Sequence, residues 1–305
     1  MLAVERFHIT VPASTANLGP GFDSVGMALG KYLELTVEPA EKWSFVPLTQ
    51  EVALIPQGTD NMMYEVAKHV ADKFDVSLPS ACVEVKSNIP LARGLGSSAS
   101  AIIAGVELAN QLCELNLSNE EKIRIASLLE GHPDNVAPTV NGGIVVGCHT
   151  EAKTYTVSIV PKDVDVVVVI PNYELKTDDA RNALPSQFSF KEAVEASAVS
   201  NVLTGALLIE DWKTVGEMME QDSFHEPYRE QFVPELSFVR RKAKEFGAFG
   251  TALSGAGPTV LCLVEKGRGE ELAAALAPSL THCLVESIQI DVKGVSVETV
   301  TNEHA

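Results

Sequence analysis

The segment Ile89-Pro-Leu-Ala-Arg-Gly-Leu-Gly-Ser-Ser-Ala-Ser100 sets two glycines and a run of small hydroxyl side chains between an alternating stretch, Ala81 to Ser87, and an apolar one that follows. Gly94 and Gly96 can take positive φ and let the main chain come close to a ligand. Ser97 and Ser98 are good N-cap residues, and the helix predicted after them offers free N–H groups at the positive end of its dipole. That combination suits a phosphate held mostly by backbone. A Gly-rich turn that merely joins strand to helix is the plainer alternative.

Two familiar phosphate loops do not match. A Walker loop needs a lysine after its second conserved glycine, and none follows Gly96. The run Gly94-Leu-Gly-Ser-Ser-Ala99 spells G-x-G-x-x-A, but a dinucleotide site then requires an acidic residue about 20 positions on, at the end of a second strand. Here that position is Glu114, between a helix and the helix-start signal Ser118-Asn-Glu-Glu121.

Two further Gly-rich loops stand far away in the chain. In Pro12-Ala-Ser-Thr-Ala-Asn-Leu-Gly-Pro-Gly-Phe-Asp-Ser-Val-Gly26, the residues Gly19, Pro20 and Gly21 force a turn between Asn17 and Asp23, which can aim an amide and a carboxylate at one small ligand. A capped surface turn, with Asp23 bonding nearby N–H groups, accounts for it equally well. Thr251-Ala-Leu-Ser-Gly-Ala-Gly-Pro-Thr-Val260 brings bare backbone against a ligand or simply against another element. Three such loops point to one composite site.

The elements that must position these loops are interleaved strands and helices. Phe7 to Val11 and Leu33 to Val37 alternate like strands, and Met62, Val66, Val70 and Phe74 follow helical spacing. Helices are predicted over 98–113 and 118–129, a polar loop over 130–135, and strands near 144–148 and 155–159. Val164 to Ile170, almost wholly apolar, reads as a strand buried on both faces. Helices over 190–209, 212–219 and 234–246 follow, and strands at 260–264 and 283–290 bracket a helix near 270–277. The boundary between two domains, 1–160 and 161–305, is placed at Pro161-Lys-Asp163. The polar, Pro-containing stretch 45–58 is a candidate lid over a nucleotide.

A chain of 305 residues with 46% hydrophobic and 21% charged content can bury a large core. No apolar run approaches the roughly 20 residues of a membrane span, and no leader pattern is evident. Five scattered cysteines without a C-x-x-C pair suggest neither disulfides nor a zinc site, so a reducing cytoplasm is expected. A net charge of −18 argues against nucleic acid and anionic membranes as partners. It also means that a bound triphosphate needs local help: a helix N-terminus, a few arginines and a divalent cation, with Mg2+ expected.

In this order and spacing, the three loops resemble the motifs of the GHMP small-molecule kinases, the superfamily of galactokinase, homoserine kinase, mevalonate kinase and phosphomevalonate kinase. The similarity runs from about residue 8 to 264. The first loop and Glu130-Gly-His-Pro-Asp-Asn-Val-Ala-Pro138 are most similar to its homoserine kinase branch. The resemblance implies an α+β fold, with an N-terminal domain like the second domain of ribosomal protein S5, left-handed crossover included, and a C-terminal ferredoxin-like domain. It implies transfer of the ATP γ-phosphoryl group to the side-chain hydroxyl of L-homoserine, by an enzyme expected to be a homodimer.

Carried over residue by residue, the resemblance has Pro90, Leu91, Ala92, Arg93, Gly94, Leu95, Gly96, Ser97, Ser98, Ala99 and Ser100 wrapping ATP, with Ser98 and Glu130 at Mg2+. By itself Glu130 is also an ordinary helix-end residue, although the dipole disfavours its charge there. Asn17, Asp23, His132 and Asn135 line the amino-alcohol end of the substrate, Asp23 taking the ammonium. Taken alone, His132 is an unremarkable histidine. Arg181 and Arg229 match arginines implied to bind the carboxylate, as forked guanidinium groups can; outside the resemblance they are typical surface residues. Thr177 is expected near the phosphoryl group, and Asn135, Thr177 and Arg181 form the expected catalytic set. Several relatives carry an Asp where Asn135 stands, and an amide cannot accept the proton. Asp134 is the rival base or a helix cap, and a loose transition state reduces the need for either.

Overall fold

A computed structural model describes residues 6–299. Its strands are β1 (Phe7–Ala16), β2 (Val25–Pro39), β3 (Ser44–Pro47), β4 (Ala81–Ser87), β5 (Ile144–His149), β6 (Thr154–Ile159), β7 (Val164–Pro171), β8 (Gly250–Leu253), β9 (Val260–Glu265), β10 (Cys283–Ile288) and β11 (Ser296–Thr299). The α-helices are α1 (Met62–Lys73), α2 (Ser97–Leu112), α3 (Asn119–Glu130), α4 (Val136–Asn141), α5 (Thr177–Asn182), α6 (Phe190–Leu208), α7 (Trp212–Met219), α8 (Glu226–Arg229), α9 (Glu235–Glu245) and α10 (Gly269–Leu276).

The first sheet runs β11-β1-β2-β4-β3, with β5 on the far end of β2 and β6 on β5. β2 is long enough to serve two neighbours: Leu33–Pro39 pair with β4, and Val25–Met27 with β5. β1 matches it, with a register shift between Pro12 and Ala13, so the pair ends in the loop that carries Asn17 and Asp23. The second sheet has the order β10-β7-β9-β8, all antiparallel. In chain order that is fourth-first-third-second, with helices between first and second and between third and fourth strands, the split-βαβ arrangement of ferredoxin-like domains.

β7 shows why an apolar run becomes a strand covered on both sides. Val166, Val168 and Ile170 join the core shared with the first sheet, while Val167 and Val169 face a second core with Val239, Ala243 and Leu272 of α9 and α10. The sheets exchange at 160–163, between β6 and β7, and β11 returns to pair with β1. Phe45, at the head of the candidate lid, is 1% exposed on β3, which runs parallel to β4, and no residue of 45–58 lines the cleft described below. Among the described residues no helix is long and apolar enough to cross a membrane.

Candidate active site

The three Gly-rich loops meet in one cleft of about 670 Å3, counted out to open solvent, between the two sheets. β4 ends at Ser87 and α2 begins at Ser97, so the connecting loop must turn sharply. Gly94 and Gly96 both have positive φ, +79° and +68°. A Cβ on Gly94 would lie 2.4 Å from the Ser254 carbonyl oxygen, and one on Gly96 2.2 Å from Ser14 Oγ. Only glycine allows the loop to thread between the first and third loops.

The expected serine cap is absent: Gly96 occupies the N-cap in left-handed conformation, and Ser97 and Ser98 are already helical. The consequence favours a ligand. Among the described residues no acceptor takes the N–H groups of Ser97, Ser98 or Ala99, and all three residues line the cleft with Ala92, Gly94 and Gly96. A serine cap would have consumed one of those donors. Of the other loop residues, Pro90 and Leu91 lie outside the cleft. Arg93 reaches the Asn172 carbonyl and Glu174, Leu95 is in the core, and Ser100 donates to the Pro12 and Gly96 carbonyls.

At the helix mouth, Ser98 Oγ lies 3.5 Å from Glu130 Oε2, the last residue of α3. Burial raises the Glu130 carboxyl above its ordinary range, with nearby His132 opposing the shift. Two hard oxygens side by side, one of them a carboxylate whose charge is penalised by its surroundings, suit a small divalent cation.

The opposite wall carries mixed charge. Asp23 accepts both edges of Arg181, at 2.8 and 3.2 Å. Arg229, on α8, is 2% exposed: its Nε donates to the Ala180 carbonyl and its Nη1 to the Gly255 carbonyl and to His225 Nδ1. No carboxylate pairs with it among the described residues, and burial beside Arg181 brings its pKa down to about 10. Phe22 lies beneath both guanidinium groups, 5.3 Å from Arg229 and 5.7 Å from Arg181.

Asn135 lines the cleft and accepts from Ser14 Oγ at 3.0 Å, while its NH2 has no protein acceptor among the described residues. His132 is bonded through Nδ1 to Asp134, which is 2% exposed; although burial works against it, that contact raises the imidazole pKa. Asn17 lines the cleft, but its amide is engaged at both ends, accepting from the Asp23 N–H and donating to the Gly255 carbonyl. Thr177 opens α5 on the rim. The structure thus gathers Asn17, Asp23, Glu130, His132, Asn135, Thr177, Arg181 and Arg229 in one place. Sequence reasoning missed Phe22, which sits inside the first Gly-rich loop, and His225, whose only signal is its place four residues before Arg229.

Chemically, the cleft offers bare amides and a hydroxyl–carboxylate oxygen pair at one end and paired positive and negative groups at the other. The family model for the GHMP kinases N terminal domain matches residues 61–143, and the GHMP kinases C terminal model matches 203–280. The chain is 57% identical to a homoserine kinase of Bacillus pumilus over 292 residues, 96% of this chain and 94% of the relative. It is also 57% identical to one from Bacillus licheniformis, covering 96% and 95% of the two chains. A solved homoserine kinase from Cytophaga hutchinsonii superimposes with a TM-score of 0.85 at 26% identity, covering 96% of this chain and 98% of that one.

Proposed function

The chain belongs to the GHMP kinases, and we propose on that premise that it phosphorylates the side-chain hydroxyl of L-homoserine with ATP, forming O-phospho-L-homoserine on the route to threonine. The observation that carries the substrate assignment is Arg229. A guanidinium that is 2% exposed and whose hydrogen-bond partners among the described residues are all neutral calls for an anion from a ligand. Asp23, across Phe22, supplies the opposite charge. An amino acid brings both partners in one molecule, whereas an uncharged alcohol brings neither.

In this reading the free N–H groups at the start of α2 hold the ATP phosphates against the unfavourable charge of the whole chain. Glu130 and Ser98 would hold Mg2+, which neutralises phosphate charge when bound. Arg181 and Arg229 bind the substrate carboxylate, Asp23 its ammonium, and the Asn135 NH2 group orients the nucleophilic hydroxyl as a donor. His132, tied to Asp134, borders the amino-alcohol end, and Thr177 faces the transferred group. Most of the acceleration then comes from alignment and charge neutralisation, with no strong protein base required. We place the enzyme in the cytoplasm as a homodimer. Exposed apolar side chains along α6, among them Phe190 and Val194, offer a surface for such pairing.

An ADP-release assay run with homoserine, mevalonate, shikimate and galactose tests the reading. Turnover confined to homoserine is expected; turnover of mevalonate alone would reassign the substrate, and no turnover with any would point to a nucleotide or metabolite sensor.

A further inference from the structure

His225 lies under the carboxylate-binding arginine and is fully buried. Its Nε2–H donates to the Gly19 carbonyl in the first loop at 3.0 Å, and its Nδ1 accepts from Arg229 Nη1 at 3.1 Å. The ring stacks on Phe22 with centroids 5.2 Å apart and planes 24° apart. Asp222 caps the same turn, accepting the N–H groups of Phe224, His225 and Glu226, and its Oδ2 is 3.5 Å from Nε2. One imidazole therefore ties the loop bearing Asp23 to the helix bearing Arg229.

The two contacts require one protonation state. Donating from Nε2 while accepting at Nδ1 is possible only for the neutral Nε2–H tautomer. A neutral acceptor fixes the guanidinium without cancelling its charge, as an aspartate there would. With Nε on Ala180 and Nη1 on His225 and Gly255, the Nη2 edge of Arg229, which meets no acceptor among the described residues, is the part left for a ligand.

We propose that His225 is a positioning residue for the substrate carboxylate: through its neutral imidazole it orients Arg229 against the first loop and preserves the full positive charge of the site. This deepens, and rests on, the assignment of Arg229 to that carboxylate.

Three substitutions separate the ring's contacts. His225→Phe keeps the stacking on Phe22 and loses both hydrogen bonds. His225→Gln retains a donor for Gly19 but no acceptor for Arg229, and His225→Asn retains the acceptor but cannot reach Gly19. The Phe and Gln variants are expected to raise the KM for homoserine about tenfold or more, the scale of a lost hydrogen bond to a charged group, with the KM for ATP unchanged and kcat altered less than threefold. The Asn variant is expected to recover most of that loss. If His225→Phe does not fold, the Gln and Asn pair carries the same comparison.

An unchanged homoserine KM in the Gln variant, a parallel rise in both KM values, or no recovery in the Asn variant would overturn the proposal. Arg229→Gln, measured alongside, distinguishes the two levels. If it leaves the homoserine KM unchanged, the carboxylate assignment itself fails; if it raises KM while the His225 variants do not, only the role of His225 falls.

Discussion

Arg181 grips Asp23 through two hydrogen bonds, Nη2 to Oδ1 at 2.8 Å and Nη1 to Oδ2 at 3.2 Å, although the two residues are expected to serve the two opposite charges that one substrate carries on a single carbon. Both side chains are a little over one-third exposed, so the pair contributes only about 1 kcal/mol or less and exchanges at small cost. A zwitterion replaces each partner with an equivalent one. A ligand with a single charge leaves one residue unmatched.

Substrate analogues should therefore be discriminated sharply. 3-Amino-1-propanol, without the carboxylate, and 4-hydroxybutyrate, without the ammonium, are each expected to lose about 10³-fold or more in kcat/KM relative to homoserine. Turnover of either within tenfold of homoserine would remove the ion-pair exchange from the account. Asp23→Asn and Arg181→Gln should each raise the homoserine KM about thirtyfold or more.

Asp134→Asn tests the need for a base. Asp134 is held by His132 beside the cleft, and the Asn135 amide presents a donor, so substantial turnover is expected to survive in the variant. A fall in kcat on the order of 10³ with folding intact would make Asp134 the base.

Gly96→Ala places a methyl group 2.2 Å from Ser14 Oγ at a φ of +68°. A loss of about 2 kcal/mol or more is expected in denaturant unfolding, together with weaker ATP binding because the amide cradle shifts. Normal ATP affinity in a folded variant would mean that the loop does not hold the phosphates.

Glu130→Gln keeps the shape of the helix end and removes its charge. A fall in kcat of about a hundredfold and a higher Mg2+ requirement are expected. An unchanged Mg2+ titration would exclude Glu130 from the cation site.

Burial moves the His225 pKa down to about 4, with Arg229 acting in the same direction and Asp222 against it. The unfolded chain takes up this proton near the ordinary pKa of about 6.5, whereas the folded chain does so only near 4. Stability is thus present above 6.5 and declines as pH falls toward 4, by a few kcal/mol from this group. Comparing unfolding free energies at pH 7 and 5 should show a smaller decline in His225→Phe than in the parent chain; equal declines would assign the acid sensitivity elsewhere.

Much of this was legible in order and spacing. Gly94 and Gly96 announced a tight turn because few other residues adopt positive φ without strain, and the nearly all-apolar Val164 to Ile170 announced a strand with two covered faces. Local chemistry does not, however, determine partners. That Gly96 rather than a serine caps α2, freeing three N–H groups, follows from the close approach of Ser14, some eighty residues earlier in the chain. That Asp23 rests on Arg181, that the Asn17 amide is consumed between loops, and that His225 lies beneath Arg229 are consequences of two sheets closing on one cleft. Residue type sets what a side chain can donate, accept or carry as charge; only tertiary packing decides which group stands within 3 Å and whether water can compete for it.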